Sequence, residues 1–180
     1  MRIPGLANYN NNSFFLIAGP CAIEIRNLLG LKGLSNEFIK GNYLKLTKSF
    51  YHESLVYPIP LPHLKGLGVH TSMDFNNAIR FGPNSELIDE VDYNLDKQII
   101  SKMYPAIKNY FRGIEEGDLA PDYCGVRSKI KFFGKSRADF WIKGPKDHGI
   151  QGHVELCGID SPGLTSSPAI AEMVINLLHY

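Results

Sequence analysis

The sequence predicts an α+β fold, a mostly antiparallel sheet with helices bracketed by two pieces of an α/β domain. A continuously apolar run at 13–18, followed by a helical stripe, reads as a buried parallel strand and its helix. The middle of the chain is built of strand-like alternation with proline- and glycine-rich joints. The end returns to a short apolar strand, a glycine turn and an amphipathic helix over 154–178.

Taken in order, Gly19-Pro20 breaks the first strand, and Ala22, Ile25, Leu28 and Leu29 give one helical face closed by Gly30. Asn42, Leu44 and Leu46 then alternate with Tyr43 and Lys45, while Pro58, Pro60 and Pro62 confine their segment to an edge or an extended loop. Residues 92–103 read as a helix through Leu95, Ile99 and Met103; Pro105 restarts it, and Ile107, Tyr110 and Phe111 continue its apolar face. Residues 115–121 form a polar linker, and 126–133 and 139–142 read as strands. Gly144-Pro-Lys-Asp-His-Gly149 joins the latter to the final strand, 154–159, as a hairpin. In the last helix Ile170, Ala171, Val174, Leu177 and Leu178 share a stripe, with Pro168 in the first turn and Thr165, Ser166 or Ser167 as cap.

Bulk composition excludes several classes of function. Lys+Arg 19 against Asp+Glu 18 leaves a net charge of +1, which gives nucleic acid or an anionic membrane no electrostatic handle. No run approaches a membrane span, and Met1-Arg-Ile-Pro-Gly lacks the apolar core of a signal peptide. The 3 cysteines, Cys21, Cys124 and Cys157, are odd in number and far apart, which fits reduced thiols in a cytoplasmic protein. Peripheral membrane contact through a partner stays open. His148 and His153 flank a glycine turn, but no third ligand stands near them in the sequence, so they read as loop histidines and no metal is expected.

The turn before the last helix aims several backbone N–H groups and the positive end of a helix at one point, a device for holding an anion or a polar ring edge. Many ordinary strand–helix junctions look the same. The string itself is more specific. Ser161-Pro-Gly-Leu-Thr165 and the helix behind it resemble the C-terminal flavin-contacting motif of the FAD-dependent oxidoreductases related to D-amino acid oxidase and glycine oxidase, nearest to the L-2-hydroxyglutarate dehydrogenase/oxidase branch. Further segments match that branch in order: Ile39-Lys-Gly-Asn-Tyr-Leu-Lys-Leu46, Leu55-Val-Tyr-Pro-Ile-Pro-Leu-Pro62, Leu67-Gly-Val-His-Thr71, Phe81-Gly-Pro-Asn84, Gly125-Val-Arg127 and Ala138-Asp-Phe140. Members open with a strand, a Gly-x-Gly-x-x-Gly turn and a helix, and no such pattern occurs here. The chain therefore resembles the C-terminal half of such an enzyme, without its N-terminal Rossmann portion, either encoded separately or left by truncation.

The resemblance implies a remnant of the FAD-binding domain at 1–35, a substrate-binding domain at 36–145, and a closing strand, flavin turn and helix at 146–180. It implies FAD as cofactor, a small carboxylate as substrate and a separate N-terminal FAD-binding chain as partner. Gly19, Gly41, Ser161, Pro162, Gly163, Leu164 and Thr165 become the cofactor-contacting positions, the last three through N–H groups at the pyrimidine end of the flavin. Pro20 departs from the family pattern and removes one N–H donor.

Three residues carry the implied chemistry. The guanidinium of Arg127 matches a carboxylate in two-point geometry. The alternative is that Arg127, Lys129 and Lys131 alternate along one strand as a solvated basic face. His70 suits a base that takes the hydroxyl proton as hydride leaves the carbon, although a lone histidine in a strand is more often structural. Tyr43 would pack over the substrate face, although strand tyrosines mostly serve packing. The expected activity is oxidation of a small 2-hydroxy acid, with L-2-hydroxyglutarate favoured, to the 2-oxo acid. An amine-oxidising glycine or sarcosine oxidase, a non-catalytic subunit and a functionless remnant are the rival readings.

Overall fold

Two sheets organise the chain in this computed structural model, which describes residues 15–18, 22–50, 54–59, 68–137 and 139–178. The first contains β1 (Phe15–Ala18), β9 (His153–Cys157) and β8 (Trp141–Lys143) in that order. β1 runs parallel to β9, with Phe15 opposite His153, and β8 runs antiparallel to it, with Trp141 opposite Cys157. The second sheet takes the order β3 (His70–Met73), β4 (Ile79–Gly82), β2 (Leu34–Leu46), β6 (Leu119–Phe132) and β7 (Lys135–Ser136), with β5 (Glu86–Ile88) also paired to β2. The β2–β4, β2–β5, β3–β4 and β6–β7 pairings are antiparallel. This is the α+β arrangement that the sequence predicts. No helix among the described residues is long and apolar enough to cross a membrane.

The chain divides into two compact units, one of residues 1–37 with 128–180 and one of residues 38–127. In the first, Ala22, Ile23, Leu29, Leu34, Ile130 and Cys157 form one core cluster. A second joins Val154, Leu156 and Val174, with Ile142, Ile159, Ile170, Leu177 and Leu178 packed against it. In the other unit, Leu44, Ile79 and Phe81 of the sheet meet Ile99, Met103 and Ile107 of α2 (Ile99–Lys108). Each such buried side chain contributes about 1.5–3 kcal/mol relative to exposure.

Several boundaries differ from the sequence reading, each for a local reason. α1 (Ala22–Leu28) buries Ala22, Ile23 and Arg26 and leaves Ile25 and Leu28 exposed, because Arg26 turns inward to Glu155. α2 begins at Ile99 rather than 92, since Asp92 and Asp96 each use a carboxylate oxygen to accept a backbone N–H two residues on, from Asn94 and Gln98. Pro105 lies inside α2. The 115–121 segment is a short 3₁₀ turn, Glu116–Asp118, that feeds directly into β6. Between β8 and β9 the connection is a single helical turn, α3 (Pro145–His148).

α4 spans Gly163–Leu178, so it starts five residues before Pro168, and Ala171 faces outward. Proline inside a helix orphans the carbonyl four residues back. Here that carbonyl, on Leu164, accepts instead from the Ser167 hydroxyl at 2.8 Å, which lets the helix run through.

Candidate functional site

In the unit of residues 38–127, β2 carries Tyr43, β3 begins at His70 and Arg127 lies just past the middle of β6. The Tyr43 ring stacks on Tyr123 with centroids 4.5 Å apart and planes 14° from parallel. Burial pushes the Tyr43 hydroxyl above its ordinary pKa and neighbouring Tyr123 adds to this, while the positive charge of Arg127 opposes it. Tyr57 also acts on Tyr43, and its own ring stacks on His70 at 4.4 Å. Tyr123 stacks on Tyr43 and Tyr57 on His70, two aromatic rings to which the sequence reading gave no role, and Arg127 lies near enough to Tyr43 to act on its hydroxyl.

The histidine has a defined orientation. His70 Nδ1 lies 3.0 Å from the Gly68 carbonyl, which can only accept, so in the neutral ring Nδ1 carries the proton and Nε2 keeps its lone pair. The sheet closes tightly under the tyrosine. Gly82, at φ 149, leaves no room for a Cβ, which would stand 2.7 Å from Cδ1 of Tyr43. Gly41 lies against Pro83, where a Cβ would come within 2.8 Å of the ring, and Asn84 Oδ1 accepts from the Asn42 N–H at 2.7 Å to hold that loop on β2.

The three basic residues of β6 are not equivalent. Lys129 pairs with Asp160 at 3.0 Å and Lys131 with Glu37 at 3.0 Å. Arg127, half-buried, has no ion pair among the described residues. A cleft of about 250 Å³ in the same unit is lined by Lys40, Asn42, Asp92 and Asn94 rather than by the Tyr43–His70 group. Its buried cation, Lys40, is already held by Asp92 at 2.8 Å and the Asn94 carbonyl at 2.6 Å, so Arg127 is the better-placed anion receptor.

In the other unit, the turn between β9 and α4 runs through Gly158, at φ +66, to Ser161, Pro162 and Gly163. The Gly163 N–H donates to the Asp160 carbonyl at 2.6 Å and the Ser166 N–H to the Pro162 carbonyl at 3.0 Å. Gly163 is therefore not a free donor. Leu164 and Thr165, whose N–H groups lie in the helix's first turn and have no intrahelical acceptor, remain available among the described residues. Leu164 is 91 % exposed, so this helix end is open. The glycine requirement at 163 is steric and not conformational: a Cβ there would stand 2.6 Å from Cγ2 of Ile159. Gly19 lies outside the described residues.

A second cluster lies in this unit, where His148 closes α3 and His153 opens β9, so neither is a loop histidine. His148, His153 and Glu155 each offer a ligand atom, all within 4.8 Å of one another. Glu155 stands two residues past His153 on the same face of β9.

Residues 12–177 match the family described as FAD dependent oxidoreductase. The chain belongs to this family. It is 41% identical over 154 residues to the Arabidopsis thaliana protein named L-2-hydroxyglutarate dehydrogenase, mitochondrial, covering 79% of this chain and 32% of that one. It is 25% identical over 162 residues to a glycerol 3-phosphate dehydrogenase of Caloramator mitchellensis, covering 89% of this chain and 32% of the relative. In fold it is similar to dithionite-reduced L-alpha-glycerophosphate oxidase from Mycoplasma pneumoniae with FAD bound, at TM-score 0.72 and 24% identity, covering 92% of this chain and 42% of that one. The chain thus spans about a third to a half of the length of the curated relatives it matches. FAD is the cofactor of the family, and the open first turn of α4, with the Leu164 and Thr165 N–H groups, fits the polar edge of such a ring.

Proposed function

We propose that this chain forms the substrate-binding part, with the closing strand and helix, of a FAD-dependent dehydrogenase or oxidase for a small 2-hydroxy acid, with L-2-hydroxyglutarate the favoured substrate. The observation that carries this reading is Arg127: it lacks the carboxylate partner that Lys129 and Lys131 both have, and it stands beside Tyr43. An unengaged guanidinium fork suits a substrate carboxylate. In this reading Arg127 binds and orients the acid, and Tyr43 packs over it. His70 Nε2 takes the hydroxyl proton, in the tautomer that the Gly68 carbonyl favours. Leu164 and Thr165 hold the flavin's polar edge. Bound FAD supplies the hydride acceptor.

The glycerol 3-phosphate relatives support a second reading, because a guanidinium fork binds a phosphate in the same two-point fashion. Among the described residues none favours an amine-oxidising activity or a purely non-catalytic binding role over these two readings. The exposed Ile25 and Leu28 of α1 are surface that a dinucleotide-binding domain would cover in this reading. A cytoplasmic location belongs to the same reading.

The test is turnover by the FAD-loaded complex containing this chain, with L-2-hydroxyglutarate and glycerol 3-phosphate compared side by side. The proposal expects kcat/KM to favour the hydroxy acid. Preference for glycerol 3-phosphate would transfer Arg127 to phosphate binding.

A further inference from the structure

We propose that His148, His153 and Glu155 form a divalent metal site that ties the α3 turn to β9, taking Zn²⁺ or a similar borderline cation. Two imidazoles and one carboxylate are a common three-residue donor set for such ions, with a water in the fourth position. The geometry favours it at several points. His153 is fully buried and Glu155 is 1 % exposed, while His148, on the last residue of α3, is half-buried and gives an ion its way in. The rings of His148 and His153 lie 4.8 Å apart, and His153 Nε2 is 3.6 Å from Glu155 Oε1, too long for a hydrogen bond.

The two oxygens of Glu155 are used differently. Oε2 accepts from Arg26 Nε at 3.1 Å and from Trp141 Nε1 at 2.8 Å. Oε1 is buried and has no hydrogen-bond partner. A buried carboxylate oxygen without a donor is costly, and an outer pair of donors that fixes one oxygen while presenting the other is how ligating carboxylates are held. His148 Nε2 is likewise buried and without a hydrogen bond. With Nδ1 accepting from the Ile150 N–H, the neutral ring carries its proton on Nε2, so ligation through Nε2 moves that proton to Nδ1. That exchange gives up the 3.2 Å bond from the Ile150 N–H to Nδ1. Metal binding here involves no step of the oxidation chemistry; it staples a short connection.

The test uses the purified 180-residue chain. Co²⁺ titration followed by absorbance is expected to saturate at one equivalent without sulfur-to-metal bands, and Zn²⁺ is expected to displace it. His148→Gln is expected to weaken binding on the order of 10–100-fold or more. Pulsed electron paramagnetic resonance of the Cu²⁺-loaded chain is expected to count two coordinated imidazoles, and one in the variant. Absence of saturable binding, undiminished affinity in His148→Gln, or sulfur-to-cobalt absorption that places the ion on Cys157 would each overturn the site. If His148→Gln fails to fold, the imidazole count of the unsubstituted chain decides alone, and fewer than two rejects the proposal.

Discussion

Arg26 on α1 and Glu155 on β9 meet through a single 3.1 Å bond inside the first unit, with side chains 7% and 2% exposed. The guanidinium is also tied to the Leu31 and Lys32 carbonyls, at 2.6 and 2.9 Å. One buried pair therefore fixes the rotation of α1, the exit of its chain and the central strand of the sheet. Truncating one member leaves the other charge buried without its partner, which typically costs about 3–5 kcal/mol. Arg26→Ala is expected to lower the unfolding free energy from urea titration by that amount at pH 7. A change under about 1 kcal/mol would mean that water reaches Glu155 and the pair is not structural.

The same carboxylate sets a pH dependence. Burial pushes the Glu155 pKa up, but the neighbouring His153 ring and the hydrogen bonds from Trp141 and Arg26 outweigh it and hold the group below the ordinary carboxylate range. A pKa lower in the folded than in the unfolded chain stabilises the fold above the unfolded value, and that stability is lost as pH falls through the folded value. Urea midpoints measured downward from neutral pH are expected to fall less steeply in Glu155→Gln than in the unsubstituted chain. Identical slopes would remove Glu155 from the acid response.

Cys157 lies in the first core cluster, and burial pushes its thiol up to about 11. The thiolate is the reactive form, so this cysteine is expected to resist alkylation at pH 8 in the folded chain and to react once denaturant is added. Peptide mapping after iodoacetamide treatment reads this directly. Rapid native labelling of Cys157 would show that the core cluster opens on the labelling timescale.

Periodicity made the fold legible where burial follows one side of an element. Leu44 is buried and Lys45 exposed along β2, and Ile170, Val174, Leu177 and Leu178 do line the core face of α4. It failed where a polar residue takes an interior place. The stripe of α1 favoured Ile25 and Leu28 over Arg26, because the carboxylate that draws Arg26 inward lies 129 residues away. Helix starts moved for the same kind of reason, with Asp96 side-chain bonding delaying α2 and the Ser167–Leu164 bond letting α4 pass Pro168. At the candidate site, the family resemblance flagged Tyr43, His70 and Arg127; Tyr57 lies in a segment that also matches but was given no role, and Tyr123 carries no sequence signal beyond being aromatic. Distinguishing Arg127 from Lys129 required seeing which of them already had a carboxylate.

That distinction predicts a kinetic contrast. In FAD-loaded enzyme containing this chain, Arg127→Lys keeps the charge and loses the fork, so KM is expected to rise by about 1–3 kcal/mol of lost binding. Lys129→Met and Lys131→Met break exposed or half-exposed pairs and are expected to leave kcat/KM within about twofold, since such pairs contribute about 0–1 kcal/mol. Equal effects at all three positions would return Arg127 to a solvated basic face.

The contact between Gly163 and Ile159 separates packing from cofactor binding in the last turn. A Cβ at 163 would sit 2.6 Å from Cγ2 of Ile159, and Gly163 opens α4 with its N–H already bound to Asp160. The β-branched Ile159 has few rotamers to retreat into. Gly163→Ala is therefore expected to destabilise the chain by about 1–3 kcal/mol through overpacking. Because the fault is a clash with one side chain, Ile159→Ala should relieve most of it, and the double variant should be more stable than the sum of the single changes predicts. Flavin absorbance of the loaded enzyme adds a second readout. If Leu164 and Thr165 are the donors, the double variant keeps the helix end in place and is expected to recover the spectrum that Gly163→Ala alone disturbs. Recovery of stability without recovery of the spectrum would make Gly163 itself a contact of the ring.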